Sequence, residues 1–230
     1  MSNKPLKIYL GDLTYDTITI STNSFPLNIG YIGSYCIKCF GPKVDVTLFK
    51  YIEDLEQAIT TSPPDVLGLS NYCWNQNISH EMFNLFHDKN PNGVTIWGGP
   101  NIPGIKSHQE EWLKDFPDVD VYVPLEGEVG FSNIVESILQ EKDRTEMRKN
   151  ISEKYIDACI IKGSDDTFHF AAPAKRPREL DEIPSPYLTG LMDKFFDGRL
   201  DPYIQASRGC PFKCTYCVDG SDLVTKVNRF

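Results

Sequence analysis

The sequence predicts an α/β protein: a doubly wound, five-stranded parallel sheet of flavodoxin or Rossmann-like type, then a hairpin-bearing linker, then the first βα unit of a second domain. Three observations predict it. From residue 6 to about 140, strand-like and helix-like patterns alternate strictly, the order expected of successive β-α units. Asp65-Val66-Leu67-Gly68-Leu69-Ser70 is a continuous apolar run, as a central parallel strand covered on both faces requires. Near the C-terminal end, Cys210, Cys214 and Cys217 fall within eight residues, directly after a strand-like run Tyr203-Ile204-Gln205-Ala206.

Leu6-Lys7-Ile8-Tyr9-Leu10 is the first expected strand, and a Thr- and Ser-rich loop follows over 11–25. Ile29, Ile32, Cys36, Ile37 and Phe40 then recur at helical spacing, and Gly41-Pro42 stops that helix. Val44, Val46 and Leu48 alternate with Asp45 and Thr47, the pattern of a half-exposed edge strand. Ile52, Leu55 and Ile59 mark a short helix closed by Pro63-Pro64. After the central strand, Ile78, Met82, Leu85 and Phe86 mark the next helix. A fourth strand over 94–97 ends in Gly98-Gly99-Pro100, and a helix over 107–116 leads to a fifth strand over 119–123. Phe131, Ile134, Val135, Ile138 and Leu139 form one helical stripe. The expected divisions are 1–140 for the α/β domain, 141–200 for the linker and 201–230 for the start of the second domain. Within the linker, 156–162 and 167–171 read as a β-hairpin around Gly163-Ser164-Asp165-Asp166, and a Pro-rich connector leads to a short helix over 188–196.

At 230 residues, 24% charged and 40% hydrophobic, the composition is that of an ordinary globular protein. A formal charge of −9 disfavours a general nucleic-acid surface or an anionic membrane as partner. No window approaches the ~18–20 apolar residues of a membrane span. An odd number of cysteines, seven, with three clustered like ligands, argues against a secreted disulfide framework, so a cytosolic location is expected.

Thiolates spaced as in Cys210-Pro211-Phe212-Lys213-Cys214-Thr215-Tyr216-Cys217 can converge on one small inorganic centre. Iron–sulfur clusters commonly take four cysteines, so three leave one iron open to a ligand that is not protein. A zinc loop or buried free thiols are the bland readings of the same spacing. This CxxxCxxC motif, with Arg208-Gly209 before it and Tyr216 inside it, resembles the signature of radical S-adenosylmethionine enzymes. The resemblance implies that Cys210, Cys214 and Cys217 hold a 4Fe–4S cluster, that its open iron chelates S-adenosylmethionine, and that Tyr216 lies against the adenine. It also implies the chemistry: one electron splits bound S-adenosylmethionine into methionine and a 5′-deoxyadenosyl radical, which takes hydrogen from a substrate. A flavodoxin- or ferredoxin-like electron donor is implied as partner.

In an open parallel sheet, ligands bind beyond the carboxyl ends of the strands. Leu69-Ser70, Gly98-Gly99-Pro100 and Leu125-Glu126-Gly127-Glu128 end on that side, in an order similar to the cobalamin-binding domain that precedes the radical domain in one large subgroup. There Ser70, Gly98 and Gly99 would line the tunnel for the nucleotide tail of cobalamin, and methyl transfer from cobalt often follows radical formation. Leu180-Asp181-Glu182-Ile183-Pro184-Ser185-Pro186-Tyr187 similarly resembles the connector into the radical barrel. One departure stands out: the loop after the first strand has Asp12 and Asp16 but no histidine, the four histidines being at 80, 87, 108 and 169. Glu126 and Glu128 are read as charges stabilised by a helix N-terminus, by ~0.3–1 kcal/mol each. Cys36 and Cys39 are read as core packing, with a zinc site shared with Cys214 and Cys217 as the alternative. Cys73 and Trp74 fall on a ligand-side loop, and Cys159 reads as hairpin packing.

The family's Gly-Gly-Glu-type methionine-binding motif and later barrel strands have no counterpart in these 230 residues, so the stretch reads as the front part of a longer enzyme, unable to turn over alone. The rival reading is a non-catalytic cobalamin- or nucleotide-binding module with a vestigial or zinc-binding cysteine tail. The substrate, a small molecule or otherwise, is not named by any motif.

Overall fold

Leu6, Ile8 and Leu10 are buried on one face of the first strand and Tyr9 and Leu13 on the other, so this strand needs cover on both sides. In the computed structural model, which describes residues 4–141, 143–175, 177, 179–216 and the backbone of 228–229, it obtains that cover. β1 (Leu6–Thr14) lies between β2 (Val44–Tyr51) and β3 (Val66–Ser70) and is parallel to both. Beyond β3 come β4 (Val94–Gly98) and β5 (Val121–Val123), again parallel, giving the strand order 2-1-3-4-5 of a flavodoxin-like sheet. β3 is buried at all five positions, as its apolar run required.

Two cores follow from the alternation of side chains along these strands. α1 (Leu27–Phe40), α5 (Gly127–Leu139) and α6 (Met147–Ser152) cover one face, packing Ile29, Cys36, Phe131, Ile134, Val135 and Ile151 against Ile8, Leu10 and Val123. α2 (Ile52–Thr61), α3 (Gln76–Lys89) and α4 (Lys106–Lys114) cover the other, where Phe83 and Phe86 meet Leu67 and Trp97. Among the described residues, no helix is long and apolar enough to cross a membrane.

Three features differ from the sequence expectation. The hairpin does not stand apart: β6 (Ile160–Lys162) pairs antiparallel with β5, and β7 (Phe168–Phe170) with β6, so the sheet is mixed and seven-stranded rather than five-stranded and parallel. The physical reason is that β5 would otherwise leave its backbone groups unpaired at an edge, and Ile160 and Ile161 bring one apolar side chain to each core. Nor is there an α-helix over 188–196. Gly190, at φ 78°, breaks the pattern, and only the short 3-10 turn Asp193–Phe195 forms. The third is at 203–206, which is not a strand; the extended pair is β8 (Ser207–Arg208) with β9 (Asn228–Arg229).

The connector is stitched to the sheet domain rather than loose. Asn23 Nδ2 donates to Asp201 at 2.7 Å, Arg199 pairs with Asp16 at 2.9 Å, and Tyr51 Oη donates to Asp197 at 2.6 Å. Met192, Phe195 and Leu200 join the α1-side core, and the Phe25 ring meets those of Tyr187, Phe195 and Phe196.

Cys36 and Cys159 are buried in that core, and burial pushes both thiols up to about 12, whereas Cys39 and Cys73 are exposed. The expected packing roles of Cys36 and Cys159 therefore hold, whereas Cys39, expected to pack with Cys36, lies on the exposed side of α1. A thiol raised in the folded state keeps its proton while the unfolded chain loses it, so stability from these two groups is whole below pH ~8.5 and is lost as pH climbs toward 12. Alkylation at pH 8 is expected to modify Cys39 and Cys73 within minutes and to leave Cys36 and Cys159 untouched until denaturant is added, as peptide mass mapping will show.

Candidate functional site

The carboxyl ends of β1, β3, β4 and β5 gather the candidate residues at one edge. The first group is polar and buried. β1 runs four residues further than its apolar alternation suggested, through Gly11-Asp12-Leu13-Thr14, with an irregularity in its pairing to β2 between Gly11 and Thr14. That extension carries Asp12 to the end of the sheet, beside Lys50 of β2. Lys50 is 1% exposed, and its Nζ lies 3.1 Å from Asp12 Oδ2 and 3.3 Å from Thr22 Oγ1. A buried ammonium is tolerated only with such partners.

Ser70, predicted to meet a ligand, belongs to the same network. Its hydroxyl donates to Asp12 Oδ1 at 2.5 Å and accepts from Asn75 Nδ2 at 2.9 Å. Asn75 Oδ1 in turn accepts from the Tyr72 amide at 2.8 Å, fixing the turn after β3. The Tyr72 and Trp74 rings stack there with centroids 4.5 Å apart, and Trp74 is 47% exposed. Tyr203 comes to this edge as well: its phenol is pushed up to about 12, first by burial and next by the charge of Asp12 and the neighbouring Tyr72.

Gly98 and Gly99 are placed by a second buried network. A Cβ on Gly99, at φ 138°, would stand 2.4 Å from the Asn71 carbonyl oxygen. Asn71 is fully buried, its amide donates to the Gly98 carbonyl at 2.6 Å, and Tyr122 Oη donates to the Gly99 carbonyl at 2.7 Å. Gly99 is therefore required by the approach of the Asn71 backbone, whatever lies beyond it. Gly99→Ala is expected to destabilise by more than about 2 kcal/mol, whereas Gly98→Ala, which meets only Val123 O at 3.2 Å, costs about 1 kcal/mol; urea unfolding of the two variants reads the difference.

The third group adds to the sequence reading, which placed both carboxylates at a helix start. Glu126 is the N-cap residue of α5, yet the cap makes no side-chain hydrogen bond. The carboxylates of Glu126 and Glu128 turn instead to Arg208: Nη1 lies 2.9 Å from Glu126 Oε2, and Nη2 lies 2.5 Å from Glu128 Oε1. Arg208 Nε donates to Gln205 at 2.9 Å, and the guanidinium lies 5.4 Å from the centre of the Tyr31 ring. No local pattern could reveal a contact spanning 80 residues; the signal available was two carboxylates and one arginine, each beside a motif.

Two residues past Arg208 the cysteine loop begins. Cys210 and Cys214 carry free, partly exposed thiols, and Tyr216 is 91% exposed. Cys217 lies outside the described residues, and among those described no group of three metal-ligating side chains has yet assembled. Of the four histidines, His80 and His87 are on α3, His108 is in the first turn of α4 and His169 is on β7. His87 faces Asp118 at 3.4 Å and Asp120 at 3.5 Å. Asp120 also helps line a cavity of about 340 Å³ with Arg148 and Lys162, at the opposite, amino-terminal edge of the parallel strands.

No family model matches the chain. It is 30% identical over 183 residues to the 2-(S-pantetheinyl)-carbapenam-3-carboxylate methyltransferase of Streptantibioticus cattleyicolor, covering 76% of this chain and 25% of that protein. It is 28% identical over 173 residues to TokK of Streptomyces tokunonensis, a cobalamin-dependent radical SAM methyltransferase, covering 73% and 24%. The chain thus spans about a quarter of the length of these relatives. In fold it is similar to OxsB, a cobalamin-dependent S-adenosylmethionine radical enzyme solved with aqua-cobalamin and S-adenosylmethionine bound: the TM-score is 0.70 at 18% identity, over 99% of this chain and 30% of that one. By these relationships the chain is related in sequence to methyltransferases that include a cobalamin-dependent radical SAM enzyme.

Proposed function

We propose that this chain forms the cobalamin-binding domain and the cluster-binding loop of a radical S-adenosylmethionine methyltransferase. The observation that carries the reading is the contact of Arg208 with Glu126 and Glu128, which joins the cysteine loop to the sheet edge where a doubly wound fold takes its ligand. The names of TokK and OxsB, which tie cobalamin to S-adenosylmethionine radical chemistry, support it.

In this proposal Cys210, Cys214 and Cys217 bind a 4Fe–4S cluster and Tyr216 flanks the adenine of S-adenosylmethionine. The partial exposure of the Cys210 and Cys214 thiols fits a loop that admits iron. Cobalamin would be held at the carboxyl edge of the sheet, beyond β1 and β3. The exposed face of Trp74, stacked on Tyr72, offers the flat apolar surface a large conjugated ring needs. Ser70 and the Gly98-Gly99 pair act by shaping that edge, since the Ser70 hydroxyl and both glycine carbonyls already have partners within the protein. When bound, the cluster supplies the electron that cleaves S-adenosylmethionine and cobalamin supplies the methyl group; the chain's own residues bind, orient and exclude water.

A flavodoxin- or ferredoxin-like reductant, a small-molecule substrate and a cytosolic setting complete the proposal. So does the organisation into a domain over 1–140, a linker over 141–200 and the opening of a second domain from 201. Turnover needs more than these residues. The test is gel filtration of the chain mixed with hydroxocobalamin. Co-elution of about one cobalamin per chain, weakened by Trp74→Ala, is the expected result; pigment that elutes only with the salt would sink the cobalamin half of the reading.

A further inference from the structure

Arg208, Glu126 and Glu128 form a buried ionic triad with one positive and two negative charges, their side chains 12%, 8% and 5% exposed. Such a cluster is poor evidence for stability, because desolvating three charges offsets most of their attraction. What it supplies is direction. A guanidinium has a rigid planar fork, and here Nε, Nη1 and Nη2 are all engaged, by Gln205, Glu126 and Glu128.

The segment around it is held by hydrogen bonds at Asp201 and Tyr203 and by the β8–β9 pair rather than by apolar packing. No residue from 201 to 216 is buried, and Ile204 and Phe212 are 81% and 66% exposed. Segments with few buried apolar contacts open locally at low free energy. The Arg208 side chain, tied to the sheet domain two residues before Cys210, therefore bears directly on where the cysteine loop rests. Its counterpart is equally fixed: Glu126 and Glu128 open α5, whose Phe131, Ile134 and Val135 are packed into the core.

We infer that Arg208 is a positioning residue, which by gripping Glu126 and Glu128 sets the cysteine loop against the ligand edge of the sheet and presents its thiols to iron in one geometry. The inference rests on the proposed cluster role of the cysteines only for its consequence, not for the grip itself. Arg208→Gln leaves two facing carboxylates without their cation, Glu128→Gln removes two of the charge-assisted bonds and leaves a one-to-one Arg208–Glu126 pair, and Arg208→Lys keeps the charge and loses the fork.

Two readouts on the full chain test it. The first is amide hydrogen exchange over 203–214 in the iron-free protein. The second is the rate at which a chelator removes iron after anaerobic reconstitution. Arg208→Gln and Glu128→Gln should speed both by about tenfold or more, with β1 and β3 amides unchanged and Arg208→Lys between these variants and the wild type. If Arg208→Gln does not fold, the nearly isosteric Glu128→Gln decides alone. Exchange and iron loss within about twofold of wild type in the folded variants would overturn the inference. Faster exchange in a protein that never takes up iron would uphold the grip and discard the cluster.

Discussion

Replacing Cys210 by alanine is expected to drop the iron retained after anaerobic reconstitution from about four atoms per chain to fewer than about one. Three sulfurs are the fewest that hold a cubane in a protein loop while one iron stays open, so losing any of them leaves the cluster two anchors and an exchange route to solvent. The same change should barely touch the fold. Cys210 is only partly buried, in a segment with no buried residue, and surface substitutions usually shift stability by no more than ~0.5 kcal/mol. For a chain of this size that is a Tm change of about 2 °C. Iron analysis paired with thermal unfolding checks both halves, and a variant that keeps its iron, or one that unfolds, contradicts the assignment.

Lys50→Met carries the largest expected cost to stability. The substitution leaves the buried Asp12 carboxylate with the Ser70 hydroxyl alone, where it had an ammonium at 3.1 Å. Removing one member of a buried pair typically costs ~3–5 kcal/mol, which for a domain of this length lowers Tm by roughly 10 °C. Replacing the whole pair should cost far less. In Asp12→Asn/Lys50→Met the asparagine oxygen can still accept from Ser70, and methionine fills the volume of the lysine stem. The double variant is therefore expected to recover more than half of the lost Tm. A Lys50→Met protein that melts with the wild type would show that the pair is not desolvated as the structure has it.

How much of this was legible in the sequence depends on how local each signal is. The run 65–70 announced a fully buried strand because every residue in it reports on its own environment, and the stripe of Phe131, Ile134, Val135 and Ile138 announced α5 in the same way. Strict alternation of strands and helices announced a doubly wound sheet, while its strand order, 2-1-3-4-5, shows only in the folded chain. The hairpin was found, but its place on β5 was not, since the edge it completes lies about 40 residues earlier. Gly11-Asp12 reads as turn chemistry, which hid both the length of β1 and the partner of Lys50. Leu188 to Phe196 has helical composition, but Gly190 breaks it and the aromatic contacts with Phe25 settle the path instead.

The candidate site divides along the same line. The cysteines, Ser70, Gly98 and Gly99 were visible as motifs, while what holds them was not. Ser70 owes its orientation to Asp12 and Asn75, Gly99 its necessity to Asn71, and the approach to Cys210 its anchor to two glutamates 80 residues upstream. Glu126 and Glu128 show the limit most plainly. Their position at a helix start has a sufficient local explanation, and only the folded chain reveals that their carboxylates face an arginine.

The measurement that bears most directly on the account is the iron and acid-labile sulfide content of the wild-type chain after oxygen-free incubation with both and removal of the excess. About four of each per chain, with a brown colour that fades in air, is the predicted result. A colourless protein, or one that takes up a single zinc in place of iron, would contradict it.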